Sequence, residues 1–231
     1  MRALLLAAGF GTRLRPLTDT IPKCLVPIKG QPLLDIWLEQ LTAAGVGPFL
    51  INTHYLHESV EEYVNNCKYK DQITLVYEPI LLGTAGTLKA NADFFKEQDG
   101  MLIHADNYCI ADFKSFLQTH LTRPDTILAT MMSFRTMLPS QCGILEIDQN
   151  NIVVDFHEKV ANPPGNLANG AVYILSAELI QTIKEGNFAD FSTEIIPDLM
   201  NRIISFENTG IHIDIGSPQE YDRAQSAIII K

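Results

Sequence analysis

The sequence predicts an α/β fold: a Rossmann-like, mixed, mainly parallel sheet flanked by helices. Three observations carry that expectation. Short apolar runs of strand length recur along the first half of the chain; segments of helical period alternate with them; and beyond Thr126 consecutive strand-like segments replace the alternation. At 231 residues, 46% of them hydrophobic, the chain is long enough to bury a sizeable core.

Residues 3–8 (ALLLAA) form a continuous apolar run ending at Gly9, as expected of a strand buried on both faces. Leu34, Trp37, Leu38 and Leu41 fall at helical spacing, with Gly45 as the stop. Residues 48–53 (PFLINT) read as a strand, 59–64 as a helix and 73–78 (ITLVYE) as a third strand. A helix is expected over 87–95, a strand over 101–105 ending at Asp106, and a helix around Phe113, Phe116 and Leu117 with Asp112 as its N-cap. TILATMMSF, CGILEID, NIVVDFHEK and NGAVYIL follow as strands, then helices over 177–184 and within 192–202, and the strand IHID. Ser217, Pro218 and Glu220 mark the start of the last helix. With no linker, low-complexity tract or repeat, a single domain over 1–231 is expected.

The net charge of −10 argues against nucleic acid or an anionic membrane surface as a partner. Yet residues 1–29 carry Arg2, Arg13, Arg15, Lys23 and Lys29 against Asp19 alone, so this end attracts small anions. Cys24, Cys67, Cys109 and Cys142 lie far apart, which fits reduced thiols in a cytoplasmic protein better than a zinc site or disulfide framework. The apolar start is too short for a secretory signal, and no segment is long enough to span a membrane.

Residues 7–18, AAGFGTRLRPLT, place Gly9 and Gly11 directly after a strand, where backbone amides can approach a phosphate, with Arg13, Arg15 and Lys23 close behind. Leu14 breaks the GxGxxG dinucleotide fingerprint, which disfavours a Rossmann oxidoreductase, and no GxxxxGK[ST] loop is present. The loop followed by PKCLVP resembles the sugar-1-phosphate nucleotidyltransferases, or nucleoside-diphosphate-sugar pyrophosphorylases. Five later stretches occur in that family's order: LGTAGTL from Leu82, HADN from His104, FHEK from Phe156, ANGAVYIL from Ala168 and DIGSPQEYDRA from Asp214. Ala105 and Val160 depart from the pattern, standing where a glycine and a proline are usual; the roles of Arg15 and His104 stay open.

The resemblance, which is to the short mannose-1-phosphate and heptose-1-phosphate guanylyltransferase-like members, implies a GT-A-like fold. Its nucleotide-binding half would cover about 1–125 and its sugar-binding half about 126–231, without a C-terminal β-helix. It implies condensation of a nucleoside triphosphate with a sugar 1-phosphate, giving a nucleotide sugar for cell-envelope glycans and pyrophosphate. GTAG points to GTP, and the sugar to mannose or heptose. Arg13 and Lys23 would be catalytic. Leu6, Ala8, Gly9, Gly11, Thr12, Arg13, Gly83, Thr84 and Gly86 would hold the nucleotide; Asn107, Glu158, Lys159, Asn169 and Gly170 the sugar phosphate; Asp106 and Asp214 would bind Mg²⁺. A homodimer is compatible with this reading. The alternatives are a uridylyltransferase acting on an amino-sugar 1-phosphate such as N-acetylmuramic acid 1-phosphate, and a non-catalytic nucleotide-sugar sensor.

Overall fold

The computed structural model describes residues 1–228. The first third of the chain comprises β1 (Arg2–Leu6), β2 (Pro27–Ile28), β3 (Gln31–Pro32), α1 (Leu33–Ala43), β4 (Phe49–Thr53), α2 (His57–Asn66) and β5 (Ile73–Tyr77). There follow α3 (Thr84–Ala90), β6 (Gly100–His104), β7 (Asn107–Ile110), α4 (Phe113–Leu121), β8 (Ala129–Arg135), β9 (Gly143–Ile147) and β10 (Val153–Glu158). The chain continues with β11 (Leu167–Leu175), α5 (Ala177–Glu185), β12 (Ile203–Glu207), β13 (Ile211–Asp214) and α6 (Pro218–Ser226). The mixed α/β architecture with a mainly parallel sheet flanked by helices is the one expected.

Two compact units divide these elements: among the described residues, 1–81, 103–111 and 210–228 form the first, and 82–102 with 112–209 the second. In the first unit the strand order is β6-β1-β4-β5, and β4 runs parallel to both β1 and β5. Leu4, Leu5, Phe49 and Ile51 of these strands are fully buried, as are Leu34, Trp37, Leu38 and Leu41 of α1, so the helical stripe read from the sequence is the face turned to the core. Burial of each such side chain contributes about 1.5–3 kcal/mol. The helix stops where expected, at Gly45, whose φ of 81° suits a residue without Cβ.

The second unit orders its strands β10-β9-β11, with β8 beside β11 and β12 beside β8. Here β9, β10, β11 and β8 pair antiparallel, while β12 runs parallel to β8. The N-cap expected at Asp112 is present, its carboxylate accepting the Ser115 N–H at 3.0 Å.

Three expectations need correction. The strand predicted over 3–8 ends at Leu6, leaving Ala7 and Ala8 to the glycine-rich loop. The helix expected over 87–95 starts three residues earlier, at Thr84, and Asn91 separates it from a 3₁₀ turn over Ala92–Phe95. Residues 192–202 are not one helix but a π-helical turn, Phe191–Ile195, followed by a 3₁₀ turn, Pro197–Leu199; Pro197 has no N–H with which to continue an α-helical ladder. Strands β2, β3, β7 and β12 were not anticipated. The four cysteines are free, and no helix among the described residues is long and apolar enough to cross a membrane.

Candidate active site

In the first unit the chain leaves β1 at Leu6, whose carbonyl accepts the Ala105 N–H at 3.0 Å, and enters the glycine-rich loop. Gly11 is demanded by the fold. Its φ is 63°, and a Cβ there would stand 3.0 Å from the Thr18 methyl and 3.3 Å from the Lys23 Cβ. Thr18 closes the turn by donating its hydroxyl to the Gly11 carbonyl at 2.7 Å. Gly9 differs, since open space lies where its Cβ would be, leaving its backbone accessible to a ligand.

The loop then makes a 3₁₀ turn, Thr12–Leu14, with Leu14 buried as its anchor and Arg13 displayed, its side chain 73% exposed. A second such turn, Lys23–Leu25, begins directly after Pro22 and turns the Lys23 side chain inward to 7% exposure. There Lys23 Nζ lies 2.9 Å from Asp106 Oδ2 and 3.1 Å from Asp214 Oδ1. Arg13 reaches the other oxygen of Asp214 at 3.6 Å.

The convergence of Asp106 and Asp214, 108 positions apart in the numbering of the chain, has a simple cause. Strands β7 and β13 form an antiparallel ribbon whose register sets Asp214 opposite Asn107, the neighbour of Asp106. The ribbon is fastened to α1, where the Trp37 indole N–H donates to the Asn107 carbonyl at 3.0 Å. Asn107 itself is buried.

The electrostatics are cooperative. Burial would lower the Lys23 pKa, but the carboxylates of Asp106 and Asp214 outweigh it and hold the ammonium above its ordinary value. Burial would likewise raise the Asp106 carboxyl, and Lys23 together with His104 brings it below the usual carboxylate range. Lys23 is therefore a fixed cation at neutral pH. Arg15, by contrast, pairs with Asp19 at 3.1 Å.

In the second unit, Gly83 precedes α3 with a φ of 80°, and a Cβ there would stand 2.3 Å from the Ala189 carbonyl oxygen. That same carbonyl accepts the N–H groups of Ala85 and Gly86, while Thr84 Oγ1 accepts the Phe191 N–H at 2.7 Å. The LGTAG stretch is thus clamped to the 189–191 segment by its own backbone amides and by the Thr84 hydroxyl. Glu158, the last residue of β10, lies 3.0 Å from the exposed Lys159 ammonium, and Lys159 has a φ of 50°. Asn169 is engaged at both ends of its amide, donating to the Tyr173 hydroxyl at 2.7 Å and accepting the Ala171 N–H at 2.9 Å. Gly170 is buried beside it in β11.

Three residues of the first unit escaped the sequence reading. A Cβ at Gly216 would lie 2.7 Å from the Arg13 guanidinium and 3.0 Å from Asp214 Oδ1, so this glycine makes room for the ion pair. The other two are Asn52 and Glu78: Asn52 accepts the Ala7 N–H at 2.8 Å and donates to Glu78 Oε1 at 3.0 Å. The signal for this pair was the polar residue near the end of each otherwise apolar strand, PFLINT and ITLVYE.

The family model described as nucleotidyl transferase matches residues 2–229. The chain belongs to the nucleotidyl transferase family. Among curated relatives, this family member is 33% identical over 233 residues to a mannose-1-phosphate guanyltransferase of Kluyveromyces lactis, covering 96% of the chain and 63% of the relative. It is 32% identical to the corresponding enzyme of Saccharomyces cerevisiae over 231 residues, with the same coverage. The chain thus spans about three fifths of the length of these relatives. Among solved structures, HddC from Yersinia pseudotuberculosis complexed with GMP-PN superposes with a TM-score of 0.80 at 26% identity, covering 97% of each chain.

Proposed function

We propose that this nucleotidyl transferase is a Mg²⁺-dependent enzyme that condenses GTP with mannose 1-phosphate or heptose 1-phosphate to give a GDP-sugar and pyrophosphate. The observation that carries the reading is the meeting of Lys23, Asp106 and Asp214 at one point, with Arg13 beside it. A guanine-nucleotide analogue in HddC and the guanyltransferase relatives support GTP over other triphosphates.

Asp106 and Asp214 suit a divalent cation. Oxygen atoms of both carboxylates already lie within 3.1 Å of one ammonium nitrogen, and carboxylate oxygens are the ligands a hard cation takes. When bound there, Mg²⁺ would supply positive charge against the triphosphate oxygens.

The reaction forms a bond from a phosphate oxygen of the sugar 1-phosphate to the α-phosphorus of GTP and breaks the bond from that phosphorus to the oxygen bridging the β-phosphorus. The nucleophile is already anionic at neutral pH, so no general base is required; the protein has to align two polyanions and counter their charge. Lys23, charged across the physiological range, stands for the transferring phosphoryl group, and Arg13 for the departing pyrophosphate. Leu6, Ala8, Gly9, Gly11 and Thr12 would hold the nucleotide together with Gly83, Thr84 and Gly86. Asn107, Glu158, Lys159, Asn169 and Gly170 would serve the sugar phosphate. The role proposed for it is a cytoplasmic one, supplying nucleotide sugar to cell-envelope glycans.

A pyrophosphate-release screen of GTP, UTP, dTTP, CTP and ATP against a panel of sugar 1-phosphates tests the reading. Turnover with GTP and mannose or heptose 1-phosphate is expected. Turnover with UTP and an amino-sugar 1-phosphate alone would replace it with the uridylyl alternative, and binding without turnover would make the protein a sensor.

A further inference from the structure

The parallel ladder between β1 and β4 ends at the pair Leu6 and Asn52, and the next donor along the chain, the Ala7 N–H, lies at the start of the glycine-rich loop. It is satisfied by a side chain, Asn52 Oδ1 at 2.8 Å, which continues the ladder one step beyond the last backbone pair. Since an N–H can only donate, the oxygen of the Asn52 amide faces Ala7 and its nitrogen faces Glu78 Oε1, 3.0 Å away. Glu78 follows β5, tied to β4 by its N–H on the Thr53 carbonyl at 2.9 Å and by its carbonyl on His54 Nδ1 at 2.7 Å. Both Asn52 and Glu78 are only 3% exposed. Three neighbouring strands are thus joined at their carboxyl ends, the edge where open α/β sheets take their ligands.

A neutral fork of one acceptor and one donor fits this place. An aspartate at position 52 would still accept from Ala7 but would set a second buried carboxylate against Glu78, and an alanine would leave the buried Ala7 N–H without its acceptor. We propose that Asn52, held by Glu78, is a positioning residue for the triphosphate: it fixes the entry of the glycine-rich loop so that the amides of Ala8 and Gly9 meet the phosphates in one orientation. The inference rests on the nucleotidyl-transfer reading for its ligand, and on the hydrogen bonds alone for its mechanics.

The test pairs a disruption with a rescue that reverses the bond. Asn52→Asp should raise KM for GTP roughly tenfold while kcat stays within about threefold, because a misplaced loop weakens ground-state and transition-state contacts alike. Adding Glu78→Gln should return KM to near the wild-type value. The amide introduced at position 78 can donate to one oxygen of the carboxylate introduced at position 52, while the other oxygen keeps the Ala7 N–H. Amide hydrogen exchange of the free protein, followed by NMR, should show Ala7 protected in wild type, exposed in Asn52→Asp and protected again in the double variant. Should Asn52→Asp fail to fold, Asn52→Ala supplies the disrupted state without the added charge. An unchanged KM, a loss confined to kcat, or a double variant that recovers neither KM nor protection would overturn the proposal. Hydrogen exchange needs no turnover, so a failure of the anchor is distinguishable from a failure of the functional reading.

Discussion

At the scale of single residues, Lys23 links the fold to the chemistry. Its ammonium separates two carboxylates that would otherwise repel, so Lys23→Ala should lower stability at neutral pH by roughly 1–2 kcal/mol; the half-exposed partners keep the cost below that of a fully buried pair. Adding millimolar Mg²⁺ should recover more of the melting temperature in the variant than in wild type, and equal shifts in both would count against a shared cation position. Asp106→Asn should reduce turnover at least a hundredfold with the melting temperature held within a few degrees, read by pyrophosphate release and thermal unfolding. Gly11→Ala should cost about 1–2 kcal/mol from its positive φ and the Thr18 contact, whereas Gly9→Ala, with open space at its Cβ, should leave stability unchanged and weaken nucleotide binding. Urea unfolding of the two variants separates the roles.

Elements explain how residues far apart in sequence arrive at one point, and why some of this was readable in advance. Asp106 and Asp214 each stood out as an acid at the end of an apolar run, but their meeting depends on β7, only four residues long (NYCI) and without a distinguishing pattern, so the ribbon with β13 left no local trace. The start of α3 was misplaced because its boundary is set by Gly83 against the Ala189 carbonyl, a tertiary contact, and its N-cap is glycine rather than one of the side chains that announce a helix. Asp112 and Ser217, by contrast, cap through their own side chains, and both were legible.

Helix α4 also carries a pH dependence. His120 is fully buried near its C-terminus, between the Thr130 hydroxyl at 2.8 Å and Asp99 at 3.1 Å, with Arg123 on the same carboxylate. Burial, helped by Arg123, pushes the His120 pKa down to about 4. Unfolded, the imidazole binds a proton near pH 6.5, whereas the folded protein refuses one until about pH 4, so stability present above 6.5 is lost progressively as pH falls through that window. His120→Gln should flatten the slope of unfolding free energy between pH 6.5 and 4, measured in urea; an unaltered slope would place the proton uptake elsewhere.

For the molecule as a whole, the distribution of charge matters more than its total. A chain with net charge −10 that places Arg13 and the Lys23 cluster beside a glycine-rich loop can gather small polyanions while repelling large ones. The α/β class was legible because alternating apolar runs and helical stripes are local signals. The division into two units was not, since each unit gathers segments that lie far apart along the chain. Family membership was readable from the order of six motifs, whereas the contacts that hold two of their residues in place were not: Gly83 against the Ala189 carbonyl, and the Asn169 amide between Tyr173 and Ala171.

In the proposed reaction a sugar phosphate attacks the α-phosphorus of GTP in the presence of Mg²⁺. Phosphorus-31 NMR of the protein with GTP, Mg²⁺ and mannose 1-phosphate or heptose 1-phosphate follows every phosphorus at once. The triphosphate signals should give way to equal amounts of a diphosphate-sugar doublet pair and free pyrophosphate, and added pyrophosphate should drive the spectrum back. GTP that persists unchanged with both sugars, or decays to GDP and inorganic phosphate, would contradict that reaction.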